Sequence, residues 1–130
     1  MAQLHALLFL PVLIVAFRAC DAGQAIPREV REIPVASVTM PDDPRAGEPL
    51  HIRLICNTPT PCWEFLRSDI THKDSTVTIR VYARYDGRPC VQIPGTLSTT
   101  ATVSLAAPGR YRLILTSPDR SKLERVMTIH

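Results

Sequence analysis

Residues 76–85, Thr-Val-Thr-Ile-Arg-Val-Tyr-Ala-Arg-Tyr, constrain this chain more than any other stretch. Val77, Ile79, Val81, Ala83 and Tyr85 take every second position, with Thr, Arg and Tyr between them. A period of two sustained this long is the mark of a strand with one face buried and the other in water. A weaker run over residues 62–71 precedes it, and His72-Lys-Asp-Ser75 reads as the turn between the two. Together they predict a β-hairpin with Cys62 and Cys90 near the two ends of its open mouth.

The rest of the chain repeats the pattern. Residues 33–40 predict an edge-like strand, broken by Pro34 and ended by Pro41-Asp-Asp-Pro44. Residues 49–56 alternate with Leu50, Ile52, Leu54 and Cys56 on one face. Asn57-Thr-Pro-Thr-Pro61 is a loop, because two prolines in five residues exclude a regular ladder. Residues 99–107 alternate through Ala101, Val103, Leu105 and Ala107, and residues 111–116 turn Tyr111, Leu113 and Leu115 inward. Residues 123–129 close the chain after a turn at Ser117-Pro-Asp-Arg120. About seven short strands at regular spacing, with no helical period beyond the N-terminal segment, predict an all-β, antiparallel, immunoglobulin-like β-sandwich. A small barrel is the alternative.

The chain's 130 residues leave room for one such domain. A net charge of +3 is small and scattered, without a basic run or basic helix, so nucleic acid is not an expected partner. Residues 6–17 form an apolar run too short to span a bilayer comfortably, followed by small residues and Cys20. This order predicts an export signal over residues 1–22, a polar linker over 23–32 and the sandwich over 33–130. Ala19-Cys20 is similar to the end of a bacterial lipobox, which makes Cys20 a lipidation candidate and a route to membrane attachment. Phe17 and Arg18 depart from that motif, and cleavage after Ala22 or Ala25 is the competing route. Either route places the domain outside the cytoplasm, periplasmic, secreted or anchored as a lipoprotein.

Gly47-Glu-Pro-Leu50, Pro61-Cys-Trp-Glu-Phe65, residues 77–85, Cys90 and Pro108-Gly-Arg-Tyr111 resemble a loose group of bacterial exported immunoglobulin-like domains, often lipoproteins. The resemblance covers residues 33–130 and implies fold and compartment, without implying an activity.

Cysteines in an exported chain tend to pair. With Cys20 assigned to the signal or a lipid, Cys56, Cys62 and Cys90 remain. A two-residue turn at Lys73-Asp74 sets Cys62 opposite Tyr85, and a further turn over residues 86–89 returns Cys90 beside Cys62. A Cys62–Cys90 disulfide is the expected pairing, with Cys56 inward as a small hydrophobe. A Cys56–Cys62 bridge and a zinc site with His51 or His72 are the alternatives, the latter lacking paired C-x₂₋₄-C spacing.

No G-x-S-x-G, H-E-x-x-H, P-loop or dinucleotide fingerprint is present, so no catalytic residue, metal or cofactor is expected. Asp42-Asp43 between prolines reads as a solvated turn rather than a calcium site. The hairpin's second face is the candidate binding surface: Trp63, Phe65, Arg67, Arg80, Tyr82 and Arg84 fall on it. The chain is expected to act as a non-catalytic binding or structural module of the cell envelope, with an envelope protein or glycan as its partner. The same aromatic residues can instead pair across strands without binding anything. A second resemblance points to inhibitors of the chagasin type. Asn57-Thr-Pro-Thr60 and Arg88-Pro89 look like two of their protease-binding loops, but Cys90 stands where they carry an aromatic residue. Their glycine-rich loop is missing.

Overall fold

The computed structural model describes residues 29–130, and there the alternation becomes eight strands and no helix. They are β1 (Glu29–Ile33), β2 (Val35–Thr39), β3 (Pro49–Thr58), β4 (Glu64–Lys73), β5 (Thr76–Tyr85), β6 (Gly95–Ser104), β7 (Gly109–Thr116) and β8 (Lys122–Ile129). β2, β3 and β6 form an antiparallel sheet. The other five strands form a second sheet centred on β5. β4 pairs along one edge of β5, while its other edge is shared. There β1 runs antiparallel beside residues 81–85, and β7 runs parallel beside residues 76–79. β8 completes the sheet against β7.

One core lies between the sheets, built from the inward positions of both. Leu50, Ile52, Leu54 and Cys56 of β3 are buried, as are Val77, Ile79, Val81 and Ala83 of β5 and Tyr111, Leu113 and Leu115 of β7. These are the inward residues that the alternation predicts. Cys62 and Cys90 are bonded, with Cα atoms 6.2 Å apart, inside the usual range for a disulfide. Cys56 is a buried free thiol.

Three expectations need correction. The larger sheet is mixed rather than antiparallel, because β5 and β7 run parallel. Between them the chain crosses to the other sheet as β6, so it returns to β5's edge in the direction it left. The first strand begins at Glu29, inside the expected linker, and is really two. Pro34 has no N–H to give a ladder, and the chain changes sheets there. Ile33 pairs with Val81 in one sheet and Val35 with Cys56 in the other. β1 escapes a periodicity reading because only Ile33 among its residues is buried.

The third correction is the hairpin register. Lys73 pairs with Thr76, leaving Asp74 and Ser75 as the two-residue connection. Asp74 adopts φ 53, a left-handed conformation that Asp tolerates better than most residues. The register therefore moves by two from that of a Lys73-Asp74 turn, which would set Arg67 against Arg80, and Arg80 faces Asp69. An opposite-charge pairing replaces a like-charge one.

Gly95 opens β6 hard against the β3–β4 loop. A Cβ there would lie 2.6 Å from Pro61 Cα and N and 2.7 Å from the Thr60 carbonyl carbon. All three are backbone atoms and cannot rotate away. Gly95→Ala is expected to destabilise the fold by about 1–3 kcal/mol, the usual range for overpacking. Urea unfolding measures it, and an unchanged midpoint would refute the close approach.

Candidate functional site

The outward residues of β5 build the candidate site. Arg80, Tyr82 and Arg84 alternate with the buried Val81 and Ala83, so the pleat alone sends them to the outer face. β4 adds Asp69 opposite Arg80, Arg67 opposite Tyr82 and Glu64 opposite Arg84. On the other edge β1 adds Glu32 beside Tyr82 and Val30 beside Arg84. The Arg67 guanidinium lies over the Tyr82 ring, 4.2 Å from its centroid, and Arg67 Nε is 3.2 Å from Asp69 Oδ1. Arg84 Nε is 3.5 Å from Glu64 Oε2. These are exposed pairs worth about 0–1 kcal/mol each, so a ligand can replace them at little cost. Below Arg84 a hollow of about 470 Å³ is lined by Val30, Glu64, Leu66, Tyr85 and Arg88 among others.

Four of the six expected face residues are therefore together: Arg67, Arg80, Tyr82 and Arg84. Trp63 and Phe65 are not with them. The pairing shifts between Phe65 and Arg67, where Phe65 faces the inward Ala83 and Arg67 the outward Tyr82. This bulge at Leu66 puts residues two apart on opposite faces, which strict alternation forbids. Phe65 thus lies on the inner side, yet remains 38% exposed because β4 has no buried residue at all. Trp63 precedes β4 and is only 6% exposed. It stacks on Tyr85 with centroids 5.6 Å apart, and the Arg31 guanidinium lies 5.5 Å from its ring centroid. Trp63 is thus a cap on the end of the core, next to the disulfide.

The stretch that resembles an inhibitory wedge is not all loop, because Asn57 and Thr58 end β3 and pair with Thr96 and Gly95. Thr58 and Thr60 are buried, and Thr58 Oγ1 donates to Thr60 O at 2.7 Å. The Arg88-Pro89 stretch is held from the other side. The Tyr85 hydroxyl donates to Arg88 O, and Arg88 pairs with Asp86 at 2.8 Å. His51 and His72 are also in structural use. His51 Nδ1 lies 3.2 Å from Thr102 Oγ1 across the β3–β6 ladder, and His72 Nε2 donates to Asp74 O at 2.8 Å. Among the described residues no three His, Cys, Asp or Glu side chains gather as metal ligands. Cys20 and the expected export signal lie outside the described residues.

Burial pushes the Cys56 thiol up to about 11 from its ordinary 9.0. A neutral thiol is the form the core holds, and Cys56 packs there as a small hydrophobe. At pH 8 its modification by a thiol reagent is expected to be at least about 100-fold slower in the folded than in the unfolded chain. The folded state keeps a proton that the unfolded chain releases above pH 9. The stability associated with Cys56 is therefore intact below pH 9 and lost as the pH climbs through about 11. Cys56→Ala should abolish that alkaline decline; an identical decline in the variant would place its origin elsewhere.

Sequence alone did not indicate Glu32, Val30, Arg120 or Lys122 as neighbours of this face. β1 and the β7–β8 connection reach it only through the second edge of β5. Comparison with models of known families, with curated proteins and with solved structures finds no match to this chain.

Proposed function

We propose that this chain is an exported, non-catalytic binding module that meets a protein or glycan of the cell envelope through the outer face of its five-stranded sheet. One observation carries the reading: Arg67, Arg80, Tyr82 and Arg84 share a face that no other layer among the described residues covers. The Cys62–Cys90 disulfide is compatible with an oxidising compartment outside the cytoplasm. Export by the N-terminal segment, with or without a lipid at Cys20, belongs to the same proposal.

Kinship with immunoglobulin-like sandwiches is part of it too. Tyr111, near the start of β7, donates its hydroxyl to Ala107 O at 2.8 Å. That is the arrangement of a tyrosine corner, in which a Tyr near a strand start bonds backbone a few residues upstream. The two sheets with one shared core support the same kinship, while the parallel β5–β7 pair departs from it.

Arg80→Glu/Arg84→Glu tests the reading, with binding of the full chain to isolated envelope fractions as the readout. Both positions are exposed, so the melting temperature is expected to stay within about 3 °C while binding falls at least tenfold. Binding unaffected by the double variant would remove this face from the proposal.

A further inference from the structure

Where β7 gives way to β8, the chain makes a hydrogen-bonded turn. Arg120 N–H donates to Ser117 O and Ser117 N–H to Ser121 O, both at 3.0 Å. Asp119 Oδ1 accepts from Ser121 Oγ at 2.6 Å and from Ser121 N–H at 3.0 Å. Those two bonds, the side-chain one first, hold the Asp119 carboxyl below the usual carboxylate range. Arg120 follows at φ 68, in the left-handed position that glycine commonly fills at the end of such a turn. An arginine here is carried at a backbone cost.

That turn stands beside the junction where β1 and β7 meet on the edge of β5. Arg80, Arg120 and Lys122, with Glu32, Thr116 and Ser117, line a hollow of about 510 Å³ on the outer side of the sheet. A space of this size suits a small ligand or one terminal sugar. Among the described residues Arg31, Arg45, Arg67, Arg84, Arg88 and Arg112 each have a carboxylate partner. Arg80, Arg120 and Lys122 have no ion pair among the described residues, as is also true of Arg53, Lys73, Arg110 and Arg125, but these three line one hollow together, with Glu32 beside them and Asp69 as the cross-strand neighbour of Arg80. Three cations against one carboxylate leave the concavity with a net positive charge, which attracts a counter-charge.

Glu32 narrows the chemistry. Its Oε1 accepts the Thr116 hydroxyl at 3.3 Å, and its second oxygen has no partner among the described residues. A neutral sugar has no need of three cations, and a bare oxyanion is repelled by the carboxylate. A ligand that carries both an anionic ester and hydroxyl donors satisfies all four groups. We propose that the hollow binds a sugar-sized ligand bearing a phosphate or sulfate ester. Arg80, Arg120 and Lys122 hold the ester, and a ligand hydroxyl donates to Glu32. Because Arg80 belongs to both sites, this inference rests on the reading of the sheet face as a binding surface.

Calorimetric titration of the full chain at low salt, with glucose 6-phosphate, glucose 6-sulfate, inorganic phosphate and glucose, tests it. At least one ester is expected to bind with a millimolar or tighter dissociation constant and to weaken as salt rises, while glucose does not saturate. The two ester arms separate phosphate from sulfate. Arg120→Gly is expected to weaken ester binding about tenfold with the melting temperature unchanged or raised, since glycine relieves the left-handed backbone. Glu32→Gln is expected to tighten inorganic phosphate severalfold and to erase the preference for the sugar ester over it. No saturation by either ester up to about 10 mM would overturn the inference, as would wild-type affinity in Arg120→Gly. If the esters fail but Arg80→Glu/Arg84→Glu still weakens envelope binding, only this inference is lost. Failure of both measurements removes the face as a binding surface.

Discussion

Cys62→Ser/Cys90→Ser is expected to lose about 3–4 kcal/mol of stability, and the melting temperature to fall by about 15–20 °C. The bonded residues are 28 apart in sequence, and releasing that closure returns the corresponding conformational freedom to the unfolded chain. The folded side of the balance points the same way. Cys62 ends the loop that Gly95 presses on, and Trp63 beside it caps the core against Tyr85. Cys90 sits in the connection from β5 to β6, which has no strand partner of its own. Without the bond, that connection and the Trp63 cap are held by side-chain contacts alone. Urea unfolding of oxidised wild type, reduced wild type and the double variant measures the loss. The last two should coincide, and only the wild type should respond to reductant. A deficit under about 1 kcal/mol would mean that the folded loops hold their positions unaided. Cys56→Ala should leave the 62–90 bond intact, because Cys56 is a buried free thiol.

The second large effect comes from two residues that face each other. Ile79 on β5 and Ile70 on β4 are direct partners in the hairpin. Ile79→Ala is expected to cost about 3–4 kcal/mol, and Ile70→Ala less than about 1 kcal/mol. Ile79 is 0% exposed, packed in the core between the sheets, so truncation leaves a cavity. Ile70 is 39% exposed, on an edge strand with no buried position. Chemical denaturation of the two variants decides the matter. Comparable losses would show that the inner side of β4 is covered in solution, by another element or by a second molecule.

That pair also marks the limit of what periodicity can convey. Alternation is a local consequence of the pleat: a residue's neighbours at i±2 share its side whatever the rest of the chain does. Hence the inward sets of β3, β5 and β7 were legible, and so were the turns at residues 72–75 and 117–120. The Cys62–Cys90 pairing was expected from a register that is two residues off, and it holds because the ends of β4 and β5 still lie side by side. The bulge at Leu66 was not legible. An extra residue in one strand is visible only against its partner's register, and it carried Phe65 to the wrong side of the expected surface. Trp63 was misread along with it.

The sequence by itself determined that the chain is all β and which residues of β3, β5 and β7 turn inward, because alternation follows from backbone geometry over a few residues. Only the tertiary structure decided that β5 and β7 lie parallel, that β4 buries none of its residues, and that Arg120, Lys122 and Glu32 stand around Arg80. Those arrangements depend on which distant strands share an edge. Such contacts are chosen by burial summed over the whole core, a quantity that no single stretch of chain contains.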